Sequence, residues 1–252
     1  MRKEDDLRGA AAYMVVCGGT LDTNTRTTVI FPPSSERELC DRAAWLAGRT
    51  IGELSGALGV AVPPAGLRGK GKMGTLIEKA LGAEAGSASL PDFPRLGIEL
   101  KTIPVDAALS PRESTFVCSI ALGDADHAEW ITSAARAKLR QVLFVPIVVV
   151  DDDPVEKRRI GTSILWRPTA EQEAVLRDDF ETAMGLIGAG GIESLTARSG
   201  RWLQVRPKAA TGSVRTVSLG SEGEWIATVP RGFYLRTAFT RALLRDPAAL
   251  PA

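Results

Sequence analysis

The stretch PDFPRLGIELKTIPVD, residues 91–106, decides how the rest of the chain is read. Its second half, GIELKTIP, is a β-rich run in which alternate side chains share a face. Ile98 and Leu100 therefore turn toward a core, while Glu99 and Lys101 are presented together on the opposite side. Asp92 lies seven residues before Glu99, and Pro94 and Gly97 between them permit a bend that brings its carboxylate back beside Glu99. Two carboxylates and an ammonium that converge in this way suit hydrolysis of a phosphodiester with a hard divalent cation such as Mg²⁺. Carboxylate oxygens hold the ion, which keeps waters and meets substrate phosphate, and the lysine orients a water or stabilises transition-state charge. A half-exposed sheet with a surface Glu–Lys pair gives the same spacing, so the pattern by itself leaves both readings open.

Working outward, STFVCSIAL (114–122) and QVLFVPIVVV (141–150) are further β-rich runs, the second preceded by a predicted helix, EWITSAARAKLR (129–140). GTSILWRP (161–168) and GRWLQVRPK (200–208) read as strands, TAEQEAVLRDDFETAMGLIG (169–188) as a long amphipathic helix and TAFTRALLR (237–245) as a terminal one. Upstream, PPSSERELCDRAAWLAG (32–48) predicts a helix capped by Ser34 or Ser35, and TIGELSGALGV (50–60) a second short one. PPAGLRGKGKMG (63–74) is a Pro/Gly loop, and TLIEKALGAEAG (75–86) is helical, with Leu76, Ile77, Ala80 and Leu81 on its apolar side and Glu78 toward the edge of that side. Residues 1–31 lack a sustained period and are expected to be a flexible leader, within which Met14 is an equally good start; residues 32–252 form the domain. The fold class is α/β, a mixed sheet flanked by helices.

With 252 residues, 44% of them hydrophobic, the chain is long enough to bury a substantial core, and no apolar run reaches the roughly 18 residues of a membrane helix. Its first residues mix both signs of charge and lack the apolar stretch of a secretory signal, which makes a cytoplasmic location the expectation. Cys17, Cys40 and Cys118 are odd in number and widely spaced, which argues against a disulfide framework or a zinc site. The single histidine, His127, lies in the polar stretch GDADHAEW, so histidine-based triads and metal sites lose their main ligand. The formal net charge is only +1, but between Thr196 and Arg245 nine basic residues face two acidic ones, Glu222 and Glu224. The C-terminal fifth of the chain is therefore strongly basic.

LGIELKTIPVD (96–106), ESTFVC (113–118), ARAKLRQVLFVPI (135–147), LQVRPKAA (203–210) and VPRGFYLRTAFTRALL (229–244) together resemble the MutH family of strand-nicking endonucleases in methyl-directed mismatch repair, in the same order and with nearly gapless spacing from about Pro32 onward. The resemblance implies a restriction-endonuclease-like fold of the PD-(D/E)xK superfamily, with two lobes forming a cleft for duplex DNA. It makes Asp92 and Glu99 the Mg²⁺ ligands and Lys101 the catalytic lysine, with Glu78 as a further catalytic carboxylate that completes the metal-site constellation. Lys70 and Lys138 match family lysines near the DNA and the active site, and Phe116 an aromatic at the DNA interface. Arg206, Pro207 and Lys208 match the recognition loop, where Arg and Lys suit guanine O6 and N7. Tyr234 matches the tyrosine facing the adenine whose methylation is tested; an N6-methyl group removes a donor hydrogen and adds bulk at that edge. Lys72 and Met73 depart from the family's aromatic-containing loop.

The implied activity is nicking of the unmethylated strand 5′ to GATC in hemimethylated DNA by a monomer, activated by MutL after MutS finds a mismatch. A GATC-specific restriction endonuclease would share the chemistry but carry a second related domain, and no internal repeat is present. A sequence-specific DNA-binding module without catalysis would break the motif, and Asp92, Glu99 and Lys101 are all in place.

Overall fold

The alternation around Glu99 produces the strand it predicts, β1 (Glu99–Val105), in a computed structural model that describes residues 30–66, 71–84, 90–151, 153–196, 199–208, 213–247 and 250. Ahead of it come three short helices. In α1 (Glu36–Leu46) the cap is Ser35, whose hydroxyl accepts the Glu38 amide at 3.2 Å, while Ser34 donates its own amide and hydroxyl to the Glu38 carboxylate. Helix α2 (Ile51–Leu58) opens with a reciprocal pair, Glu53 N–H to Thr50 Oγ1 at 3.1 Å and Thr50 N–H to Glu53 Oε2 at 2.7 Å. Helix α3 (Lys72–Leu81) begins three residues ahead of the expected Thr75. Gly71, at φ 87°, turns the chain in a way a side chain would resist, so Lys72 and Met73 belong to the first turn of the helix and not to the loop. Of the leader only Ile30 and Phe31 are described, Ile30 packed on the core and Phe31 giving its carbonyl to Arg42 at 2.7 Å. Residues 1–29 and Lys70 lie outside the described residues.

Strand β1 is followed by β2 (Thr115–Ser119) and by α4 (Ala134–Leu139), shorter than the predicted helix over 129–140. Ser133 accepts the Arg136 amide at 3.0 Å and so starts the helix late, leaving Trp130–Thr132 as a separate 3₁₀ turn. Strand β3 (Val142–Val148) then pairs in parallel with β1, Glu99 opposite Val142 and Val105 opposite Val148. Its other edge carries two short antiparallel pieces, β4 (Arg159–Ile160) and β5 (Ile164–Trp166). They are separated opposite Pro146, which has no N–H to give and only accepts, from Gly161 N–H at 2.7 Å.

The continuous apolar run of β3 is buried on both faces. Leu143, Val145 and Ile147 meet the three N-terminal helices, Ile98 and Leu100 in one core, while Val142 and Phe144 join Ile103 and Val105 in a second. That second core is closed by α5 (Ala170–Gly188), by the antiparallel sheet β2–β9–β6, with β6 at Leu203–Pro207 and β9 at Arg231–Leu235, and by α6 (Thr237–Arg245). The hairpin of β7 (Thr216–Leu219) and β8 (Trp225–Thr228), absent from the sequence reading, lies between β6 and β9 in the chain. Aromatic rings run from the central sheet through this second core: Phe144 to Trp166 at 6.2 Å, Trp166 to Phe239 at 5.3 Å and Phe239 to Trp202 at 4.9 Å between centroids. Among the described residues no helix is long and apolar enough to cross a membrane.

Candidate active site

The bend expected between Asp92 and Glu99 is a closed turn. Phe93 and Ile98 exchange backbone hydrogen bonds at 2.9 and 3.2 Å, and Gly97 at φ 66° lets the chain reverse over Pro94. Phe93 and Ile98 are both buried in the first core, so the turn is anchored from below. Glu99 N–H faces β3 and donates to the Gln141 carbonyl at 3.0 Å, which leaves the next amide, on Leu100, facing the free edge of β1. Asp92 Oδ2 accepts that amide at 2.8 Å. The strand edge itself thus fixes the first carboxylate beside the second.

Glu99 is 1% exposed. A buried carboxylate needs partners, and it has two ammonium groups: Lys101 Nζ at 2.5 Å from Oε1, and Lys138 Nζ at 2.9 Å from both oxygens. Lys138 reaches it from α4, the helix immediately before β3, and also donates to the Leu90 carbonyl at 3.2 Å. Glu78, half-buried on α3, is directed toward β1: an atom added at Gly74 would lie 3.6 Å from Glu78 Oε1 and 3.7 Å from Thr102 Oγ1. Burial raises the Glu78 carboxyl above its ordinary range, and the negative charge of Asp92 raises it further. Burial raises Asp92 as well, followed by Glu99, against the opposing pull of the Leu100 amide and the two lysines. The three carboxylates and two lysines therefore act on one another as a single cluster.

Among the described residues no three potential ligands stand close enough to hold a metal ion by themselves. Asp92 and Glu99 nonetheless offer what Mg²⁺ takes, one or two carboxylates with the remaining positions left to water and phosphate. The donor set fits a hard cation and not a soft one. Cys118 lies nearby on β2, buried, and burial raises its thiol to about 11.

The residues expected to recognise DNA are brought together on the β2–β9–β6 sheet. Phe116 on β2 and Tyr234 on β9 meet edge to face at 5.3 Å. Lys208 Nζ stands 3.6 Å over the Phe116 ring and 3.2 Å from Ser119 Oγ, and the Arg206 guanidinium is 5.9 Å from the Tyr234 ring and 2.7 Å from Ser114 Oγ. Arg206, Pro207 and Lys208 are exposed at the end of β6. Lys138, by contrast, is 6% exposed and lies on Glu99, away from this group's contacts. His127 is exposed, as its polar setting implies.

Sequence reading overlooked Asp179. Its carboxylate accepts the amides of Arg201, Trp202 and Leu203 at 2.6, 2.7 and 2.8 Å and so fixes where β6 begins. The signal was available: Asp179 is an acid on the buried face of α5, between Leu176, Phe180 and Ala183.

A family model described as the DNA mismatch repair enzyme MutH matches residues 81–179, a span that takes in Asp92, Glu99, Lys101, Phe116 and Lys138. The DNA mismatch repair protein MutH of Serratia proteamaculans is 48% identical over 213 residues, 84% of this chain and 93% of that protein. Its counterpart from Escherichia coli O6:K15:H31 is 46% identical over 216 residues, 86% of this chain and 94% of that protein. With identity of this order over nearly the whole of its relatives, the chain belongs to the MutH family of DNA mismatch repair enzymes.

Proposed function

We propose that this protein is a mismatch-repair endonuclease that uses Mg²⁺ to nick the unmethylated strand 5′ to GATC in hemimethylated DNA, on activation by MutL. The observation that carries the reading is the turn that places Asp92 on the Leu100 amide, next to a buried Glu99 already bonded by two lysines. Asp92 and Glu99 would hold the cation. When bound, it lowers the pKa of a water and neutralises charge gathering on the phosphate. Lys101, 2.5 Å from Glu99 Oε1, is placed to donate through Nζ to the attacking water or a phosphate oxygen as charge builds. Glu78, raised by burial and by Asp92, is a neighbouring carboxyl suited to exchanging a proton with that water.

Recognition falls to the second lobe, across a cleft between the lobes. Arg206 and Lys208 offer donors to guanine in the major groove, and Pro207 shapes the strand end between them. Lys70, matched to a family lysine near the DNA, belongs to the same DNA-binding set. Tyr234, with Phe116 behind it, closes on the adenine edge, where a methyl group meets the ring instead of a hydrogen-bond acceptor. One active site in a monomer gives one cut, which is a nick. The cytoplasm is its expected location.

The test is strand-resolved cleavage of duplexes carrying unmethylated, hemimethylated or fully methylated GATC, with and without MutL, in Mg²⁺ and in EDTA. The reading expects metal-dependent nicks confined to unmethylated strands and stimulated by MutL. Concerted double-strand cuts indifferent to MutL belong to a restriction enzyme, and binding without cutting to a DNA-binding module.

A further inference from the structure

Lys138 has nothing left with which to reach a substrate. An ammonium has three N–H donors, and Lys138 directs Nζ at Glu99 Oε1, Glu99 Oε2 and the Leu90 carbonyl. Its side chain is 7% exposed. Lys101, at 15%, makes one hydrogen bond among the described residues, to Glu99 Oε1. Of the two cations on Glu99, Lys138 therefore has all three donors engaged inside the protein, and Lys101 one.

Formal charge gives Lys138 a purpose. Counted by formal side-chain charge alone, Glu78, Asp92 and Glu99 against Lys101 and Lys138 sum to a single negative charge. A divalent cation reverses that sign, and a DNA phosphodiester then brings the total to zero. Without Lys138 the cluster would carry one more negative charge and would reach neutrality with the cation alone.

We propose that Lys138 is a positioning residue acting through Glu99: a resident counter-cation that holds the carboxylate in place and keeps affinity for a divalent cation low until a phosphodiester is bound. The inference rests on the reading of Asp92 and Glu99 as cation ligands. Lys138 thereby links metal binding to DNA binding from inside the protein and touches neither the reacting phosphate nor the bases.

The experiment is Mn²⁺ binding to the full chain without DNA, followed by loss of the free-ion electron paramagnetic resonance signal, in the parent, Lys138→Met and Lys138→Arg. Removing a unit charge within a few ångströms of a bound dication tightens binding by at least about tenfold at an effective dielectric constant of roughly 20. Lys138→Met is therefore expected to bind Mn²⁺ at least about tenfold more tightly than the parent, and Lys138→Arg to bind as the parent does. A GATC duplex should tighten Mn²⁺ binding in the parent and change it little in Lys138→Met. Equal or weaker binding by Lys138→Met overturns the proposal, because a purely structural lysine would loosen the ligand when removed. If Lys138→Met does not fold, Lys138→Gln, uncharged but still able to donate to Glu99, answers the same question by the same criterion. A parent that binds no Mn²⁺, with or without DNA, overturns the underlying assignment of Asp92 and Glu99 and this inference with it. A parent that binds Mn²⁺ and nicks DNA, beside variants of unchanged affinity, overturns the role of Lys138 alone.

Discussion

Around Glu99 one carboxylate is bonded by two ammonium groups inside the protein, whereas around Tyr234 two cations lie against aromatic rings at its surface. In the first cluster charge meets charge and water is largely excluded, so each group's state depends on its neighbours. In the second, a ring face orients each cation without using up its N–H donors, which stay available for bases and phosphates. The two differ in what holds them. The Glu99 cluster hangs on the turn before β1 and the helix before β3, the Tyr234 cluster on the antiparallel β2–β9–β6 sheet. They are still close enough that Lys208, Lys101 and Lys138 all act on the buried Cys118 thiol. On the proposed roles, chemistry and selectivity rest on separate elements and should fail separately.

The largest effect is expected from Glu99→Gln, which takes the shared charge out of the buried cluster. Nicking should fall by roughly a thousandfold or more while duplex binding persists, as measured by single-turnover cleavage beside a filter-binding titration. Asp179→Ala attacks the other side. It leaves three amides at the start of β6 without their acceptor, a cost of about 2–4 kcal/mol that should lower the melting temperature by roughly 5–10 °C. In the folded fraction, sequence selectivity should drop before the cleavage rate does. Arg206→Ala is expected to reduce discrimination between GATC and single-base variants by about tenfold to a hundredfold, read from competitive cleavage, with the melting temperature unchanged. Phe116→Leu, which removes the ring under Lys208 and beside Tyr234, should cost only about 0.5–1 kcal/mol of binding, a few-fold in a competition titration.

The smallest effect concerns pH. The Glu78 carboxyl titrates above its ordinary range in the fold, so once ionised its charge opposes folding. That penalty is absent below the ordinary glutamate pKa, grows as the pH rises through the raised value and is complete above it. Glu78→Gln should therefore melt slightly above the parent near neutral pH, and the difference should close as melts are repeated down toward about pH 4.

Much of the structure around Glu99 was readable because its signals are local. The alternation Ile98, Glu99, Leu100, Lys101 sets the faces of β1, and Pro94 and Gly97 announce the turn that returns Asp92. The cap of α1, expected at Ser34 or Ser35 and found at Ser35, and the limits of α6 are local too. What could not be read depends on distant pairing or lacks an apolar face. Lys138 meets Glu99 across 39 residues and a parallel strand crossover, so its plain helical surroundings give no hint of an ion pair. The β7–β8 hairpin leaves Val217 and Trp225 at 55% and 63% exposure, and without a buried stripe its alternation carries no signal. The first turn of α3 was read as loop because Lys72, Met73 and Gly74 follow a glycine-rich run, and propensity there points to a loop until packing decides. The residues proposed to recognise DNA were named through family resemblance alone: nothing in their spacing predicts that Lys208 stands over Phe116.

Separability is tested most directly by the binding selectivity of Asp92→Asn. The amide oxygen of asparagine can still accept from Leu100 N–H, so the turn is kept while the charge is lost. The measurement is competitive binding of hemimethylated against fully methylated GATC duplex, beside a cleavage assay. The expected result is parental selectivity with nicking abolished. Loss of selectivity together with nicking, in a variant that melts like the parent, would contradict the account, since the catalytic carboxylate would then be reading the DNA as well as cutting it.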